Sequence, residues 1–341
     1  MNATAFFDRY EIDYTQSLDQ KGLGSVYMAK DRETDAKVAV KTIELHPMFD
    51  KGETLARYQK AMELSHPVLL PYFDICRFPN EETIQHFVPM PYIEGNNLQQ
   101  EIPSLSFQQK NEILKSVLEG LLYLHENGTV WQNLRADHIL LQQVQDIYIP
   151  LFINYGAVSP FPKAYFSNYE YLAPEQLSEQ AQEASDRRTD IWAFGVLAFE
   201  IFTGQLPFGK KSPQTPNRRI MERIFADELP ELFGQIPETY GHIIRKCLQK
   251  DPNARWASIE EIETYLQEHP VAKKAAAARE VGMLEALEKM GEDYVEQKPK
   301  TDKIPFFERK IKRKPSRPIQ WWEPFFWIGL ATLVGYLLSK L

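Results

Sequence analysis

The chain has 341 residues, of which 43% are hydrophobic and 25% charged, and its net charge is −8. That composition belongs to a folded chain with room for more than one domain and excludes a disordered or collagen-like one. The acidic balance removes the general electrostatic case for nucleic-acid binding. Cys76 and Cys247 lie far apart, so there is neither a disulfide framework nor a CxxC spacing, which fits a reducing compartment.

The N-terminus, MNATAFFDRYEIDY, has no basic start followed by an apolar run, so a cleaved secretory signal is not expected. Residues 1–9 read as an extension. From residue 10 to 95 the pattern is short strands. YEIDYTQSL, SVYMAKD and AKVAVKTIEL predict three antiparallel strands, with RETD as the second turn. A polar helix is expected over residues 51–64, then strands near 72–77 and 83–90. After Gly95 helices take over. Ser106 is a candidate N-cap for FQQKNEILKSVLEGLLYLHENG, where Ile113, Val117, Leu121 and Leu124 form an apolar stripe and Gly128 ends it. DIWAFGVLAFEIFTG (190–204) is apolar on nearly all faces and predicts a buried helix. Helices near 238–250 and 258–269 close this half, residues 96–270. A small β-rich lobe followed by a helical lobe is an α+β pattern.

Residues 271–291, VAKKAAAAREVGMLEALEKMG, are alanine-rich and amphipathic, with Val281, Leu284, Leu287 and Met290 on one side. They predict a docked helix or a semi-rigid spacer. Residues 292–320 read as a polar, basic linker. Residues 321–341, WWEPFFWIGLATLVGYLLSKL, carry no charge from Phe325 to Leu338. A bilayer core takes about 20 apolar residues, with a range of about 17–25, and Pro324 to Leu341 reaches that range. Trp321, Trp322 and Trp327 suit an interface, and Arg309, Lys310, Lys312, Arg313, Lys314 and Arg317 precede them. Basic flanks stay cytoplasmic and attract anionic lipid. The expectation is a single-pass C-terminal transmembrane anchor with the preceding domain in the cytoplasm. The alternative is a terminal amphipathic or buried helix.

Six motifs in order carry a resemblance. They are VAVK at 38–41, LLYLHENGTVWQNLRADHILL around 121–141, INYGA at 153–157, YLAPE at 171–175, DIWAFGVLAFEIFTGQLPF from Asp190, and DPNARW at 251–256. Over residues 10–270 the chain resembles the protein kinase fold, most nearly the bacterial serine/threonine kinases. The resemblance implies a bilobal domain with residues 10–95 as the small lobe.

The departures fall on chemistry. A kinase catalytic loop reads H-R-D-L-x-x-x-N, and here it is Trp131, Gln132, Asn133, Leu134 and then His138. The resemblance makes position 133 the base, yet an amide oxygen is too weakly basic to accept the substrate proton. His138 holds the place of a magnesium-binding Asn, and imidazole suits a hard oxygen-seeking ion poorly. Asn154 stands where the metal-binding Asp is expected. Gln132 replaces the Arg that would read a phosphate on the activation segment. In the glycine-rich loop, Asp19 and Lys21 replace glycines while Gly22 and Gly24 remain. Magnesium binding is therefore expected to be weak or absent.

Other features are kept. Lys41 matches the nucleotide-binding lysine. Its helix partner stays open, with Arg57 nearest the usual place and Glu53 and Glu63 on either side. Val26 and Ala39 match the roof of an adenine slot, Leu140 its floor and Met90 its gatekeeper. Pro91 keeps the carbonyl that adenine recognition uses, and Ile93 can donate its N–H. ATP is thus the expected ligand, if any. Glu175 and Arg255 resemble a buried ion pair, and Asp190 resembles the helix-capping Asp that ties down the catalytic loop. Trp131 and Tyr155 replace the His and Phe of the internal spine and are expected to pack as a pair. Asp137 either supplies a replacement metal ligand or occupies a solvent-facing acidic position. His66 and His125 read as packing or turn residues. The first reading is a membrane-tethered pseudokinase that binds a protein partner or itself as scaffold or signalling adaptor. The alternatives are an atypical nucleotide transferase and a weak serine/threonine kinase with displaced groups.

Overall fold

The alternating segments before residue 46 form the first strands of an antiparallel sheet in a computed structural model of the chain. The structure describes residues 2–271, apart from 22–23, 46–51, 80–82, 145–146, 156–168, 178–185 and 227–230. The sheet runs in the order β1-β2-β3-β5-β4, with β1 Tyr10–Lys21, β2 Gly24–Asp31, β3 Lys37–Leu45, β4 Cys76–Pro79 and β5 Ile84–Pro91. Alternation along β3 divides its side chains. Val38 and Val40 join an outer cluster with Phe6, Tyr10 and Phe87, while Ala39 and Ile43 join the main core. Lys41 shares the parity of Ala39 and Ile43, which turns it toward the helical lobe.

The N-terminal extension carries a helix. Helix α1, Ala3–Arg9, is capped by Asn2, whose side chain accepts from the Ala5 N–H at 2.9 Å. It buries Phe6 against Tyr10 and Phe87. Arg9 donates to both oxygens of the buried Asp31, at 3.1 and 2.7 Å. Helix α2, Glu53–Met62, lies between β3 and β4 in the chain and buries Tyr58.

The strand expected near Tyr72 begins only at Cys76. Of the residues before it, Val68 and Leu70 bond to the other lobe and Phe73 to β5. Phe152 N donates to Val68 O at 2.6 Å, Leu70 N to Phe152 O at 3.0 Å, and Phe73 N to Pro89 O at 2.9 Å. His66 anchors the same junction. Its ring packs on Tyr123 at 4.8 Å, and its Nδ1 accepts from Val68 N. Burial pushes its pKa down to about 4, below the ordinary 6.5. The unfolded chain therefore takes up a proton that the folded one refuses. Stability is fully present above about 6.5 and falls as pH drops toward 4. A His66→Gln chain should lose less stability between pH 7 and pH 5 than the parent, read from urea midpoints. Equal losses would remove His66 as a source of acid sensitivity.

The helical lobe opens with α3, Leu98–Glu101, and α4, Phe107–Glu126. Ser106 and Gln109 cap α4 reciprocally, and Gly128, at φ +64°, turns the chain after it. A hairpin follows, β6 Ile139–Val144 and β7 Ile147–Phe152. Then come α5 Pro174–Leu177, α6 Arg187–Thr203, α7 Asn217–Phe225, α8 Glu238–Cys247 and α9 Ile259–Glu268. Every side of α6 is buried from Thr189 to Ile201, as its largely apolar composition requires. Its N-cap is Asp186, which accepts from Arg188 N at 2.7 Å, so Asp190 lies inside the first turn. Among the described residues no helix is long and apolar enough to cross a membrane. The expected anchor at 321–341, the linker at 292–320 and the amphipathic segment from 272 lie outside the described residues.

Candidate active site

The altered motifs meet between the sheet and the β6–β7 hairpin. Lys41 reaches down from β3, and its Nζ donates to Asn154 Oδ1 at 2.5 Å. This contact fixes the lysine against the residue that holds the metal-binding Asp's place. Of the three helix residues considered as its partner, Glu63 is exposed just past the end of α2, and the Glu53 side chain lies outside the described residues. Asn154 has φ +63°, a left-handed conformation that Asn tolerates better than most residues.

The catalytic-loop backbone is held from below. Asp190 accepts from Trp131 N at 2.7 Å and from Gln132 N at 2.6 Å. His125 Nε2 lies 2.9 Å from the same carboxylate, so this histidine is part of the polar anchor in addition to its packing role. Gln132 sits at φ +59°, an unfavourable region for its side-chain type. The Asp190 bond to its N–H and a Gln176 Nε2 bond to its carbonyl at 3.4 Å hold it there.

His138 follows in a short 3-10 turn, Ala136–His138. Its Nδ1 lies 2.8 Å from Asn133 O. A carbonyl only accepts, so Nδ1 carries the hydrogen and Nε2 keeps the lone pair. Burial, and then the charge of Arg135, push its pKa down to about 3, which leaves it neutral. Asp137 departs from the solvent-facing expectation. It is buried and bonded through both oxygens to Arg135. Arg135 was not singled out from sequence. Its signal is its place two residues before Asp137 in a tight turn, where a guanidinium fork meets a carboxylate.

The spine is aromatic along its whole length. Tyr58 meets Tyr72 edge-on at 5.1 Å, and Tyr72 stacks on Tyr155 at 5.0 Å. Tyr155 Oη also donates to Leu70 O at 2.8 Å. Trp131 packs on Phe152 at 4.5 Å. The expected Trp131–Tyr155 pair is therefore replaced by two separate partnerships, because β7 and the segment before β4 supply rings of their own.

Of the adenine-slot residues, Ala39 and Met90 are buried opposite one another on β3 and β5. Val26, Ile93 and Leu140 are half-buried and pack on the same core. A bridge from Asn97 to Leu140 draws β6 beneath the segment that follows β5. Gly24 has a different duty from the one its motif suggests. A Cβ there would lie 2.3 Å from Thr42 O, so the glycine lets β2 close on β3. Gly22 lies outside the described residues.

The activation segment returns at Tyr169. Glu175 receives two bonds from Arg255, at 2.7 and 2.8 Å, and one from Thr189 Oγ1 at 3.2 Å. Tyr171 donates to the buried Glu200 of α6 and accepts from Ala136 N, tying the segment to the catalytic loop. Burial raises the pKa of both Tyr171 and Glu200. Glu200 also escaped the sequence reading, since it sits inside an otherwise apolar helix. Among the described residues no group of three or more His, Cys, Asp or Glu side chains could hold a metal ion.

Comparison with known proteins agrees with this architecture. The protein kinase domain family model matches residues 15–270. The chain is 26% identical over 275 residues to a probable serine/threonine-protein kinase PknB of Lactococcus lactis, covering 76% of this chain and 42% of that protein. It is 26% identical over 269 residues to the serine/threonine-protein kinase PrkC of Bacillus subtilis, covering 75% and 39%. It is 28% identical over 287 residues to a probable serine/threonine-protein kinase of Streptomyces coelicolor, covering 79% and 41%. The match thus spans less than half the length of these relatives. With two lobes, the lysine, the Asp190 anchor and the Glu175–Arg255 pair in one domain, the chain belongs to the protein kinase family.

Proposed function

We propose that this kinase domain binds nucleotide but has lost efficient phosphotransfer, and that it works as a pseudokinase scaffold or signalling adaptor. The observation that carries this reading is the Lys41–Asn154 bond, an amide where the family places a metal-binding carboxylate. ATP fits the residues present. The slot keeps small and apolar side chains, the Pro91 carbonyl and the Ile93 N–H are retained, and Lys41 supplies positive charge for a phosphate. Magnesium fits them poorly. Asn154 Oδ1 already accepts from Lys41, His138 offers a nitrogen, and the Asp137 carboxylate is bonded to Arg135.

The uncharged run at 321–341 and its basic flank support a membrane-tethered form facing the cytoplasm, which would raise the effective concentration of a protein partner or a second copy. A second reading is a working serine/threonine kinase or an atypical nucleotide transferase. The family match and the names of the relatives favour it.

Thermal unfolding with ATP separates the two. Under the first reading ATP raises the Tm equally in magnesium and in EDTA, and Lys41→Met abolishes the rise without lowering the ligand-free Tm. A rise that needs magnesium, or one that survives Lys41→Met, would overturn it.

A further inference from the structure

A groove of about 370 Å³ opens where α4 begins, α6 ends and the chain enters α8. Ligand sites fall in the range of about 300–1,000 Å³. Phe107 of α4 and Phe202 of α6 line it together, with ring centres 6.1 Å apart. Tyr240 of α8 backs Phe202 at 4.9 Å and donates to Asn111 Oδ1 of α4 at 2.9 Å, which ties the three helices together. Buried Ile236 and half-buried Pro237 add further apolar lining. Gly234 and Gln235 are exposed and leave the groove open to solvent.

One charge stands in this apolar setting. Lys110 lies one turn along α4 from Phe107, on the same helix face, and lines the groove half-buried. Among the described residues nothing bonds to its ammonium. Burial alone lowers its pKa, with no neighbouring carboxylate acting on it. An ammonium drawn partly out of water without an anion is a cost that an incoming carboxylate relieves. Phe107 beside it is 43% exposed, so apolar surface stays open next to the cation. Together they select a carboxylate that neighbours an aromatic or aliphatic group. The open rim suits an extended chain lying across the groove better than a small molecule enclosed by it.

We propose that this groove docks a short acidic segment of a protein partner, its carboxylate on Lys110 and an adjacent aromatic or aliphatic side chain against Phe107 and Phe202. Lys110 lies sixteen residues before the end of α4, so the groove is about 24 Å along the helix axis from the catalytic-loop end. The docking therefore stands whether or not the domain transfers phosphate.

Panning the 341-residue chain against a displayed random peptide library tests this. Enriched peptides should carry Asp or Glu close to Phe, Trp, Leu or Ile. By fluorescence anisotropy, such a peptide should lose affinity about tenfold or more in Lys110→Glu and less than about threefold in Lys110→Arg. Gly234 gives a second route. A Cβ there would meet nothing within 4 Å, so Gly234→Trp should fold normally, obstruct the groove and cause a similar loss. ATP should leave the peptide's affinity unchanged. No enrichment, enrichment without an acidic residue, or affinity that neither Lys110→Glu nor Gly234→Trp reduces would overturn the proposal. Tighter binding of phenylpropionate than of any peptide would make the groove a small-molecule site and overturn it. Self-association that is lost in Lys110→Glu, read by sedimentation, would give the groove to a second copy and overturn it as well.

Discussion

Replacing Arg255 with Ala should lower the stability of the folded domain by about 3–5 kcal/mol, the range for breaking a buried ion pair from one side. Arg255 is 3% exposed and its guanidinium is fully committed. Two of its bonds go to Glu175, and others go to the carbonyls of Gln249 at 2.8 Å, Arg188 at 3.0 Å and Lys250 at 3.2 Å. It also lies 5.0 Å from the centre of the Trp192 ring. Removing it takes two charge-assisted bonds from the Glu175 carboxylate and one donor from each of three carbonyls. Arg255→Lys should recover little, because an ammonium cannot reproduce the two parallel bonds. The measurement is a urea midpoint for each chain, with proteolysis of residues 169–177 as a local readout. A loss below about 1 kcal/mol, the range of exposed pairs, would mean that the pair is solvated and contributes no more than a surface contact.

That pair was legible in the sequence because it depends on two letters in two well-separated motifs. So were the lobe order, the capped α4 and the buried α6, each carried by periodicity or by a capping residue. What was not legible is instructive. Trp131 and Tyr155 were expected to pair, but sequence cannot show that Phe152 and Tyr72 arrive from other elements to take each ring. Asp137 read as a replacement metal ligand or a solvent-facing acidic residue, yet it is buried and the half-buried Arg135 folds back on it. The α2 partner of Lys41 stays open from spacing alone, and a contact that spacing did not suggest comes from Asn154, more than a hundred positions away. Gly24 matched a phosphate-loop pattern, while the backbone of Thr42 explains why it must be glycine. In each case the missing information was tertiary, a neighbour that no local window contains.

Restoring carboxylates at Asn133 and Asn154 should convert the site more than any other pair of changes. Asn154→Asp keeps the acceptor that Lys41 uses and makes the bond charge-assisted, so the lysine should hold its place. It also adds the charge that magnesium requires. Asn133→Asp restores a group able to take the hydroxyl proton, a contribution of about 10²–10⁴-fold in comparable sites. His138→Asn completes the set by replacing a neutral nitrogen donor with an amide oxygen. In the triple variant the ATP-induced rise in Tm should come to depend on magnesium, and phosphate transfer to a generic acceptor should rise by about 10²-fold or more over the parent. Gln132 would still lack the arginine that reads a phosphorylated activation segment, so the gain should not need prior phosphorylation. If the parent already transfers phosphate in magnesium as fast as the triple variant, the missing carboxylates are not limiting. The chain would then be a working kinase that uses other groups, with Asp137 and Arg135 the first to substitute.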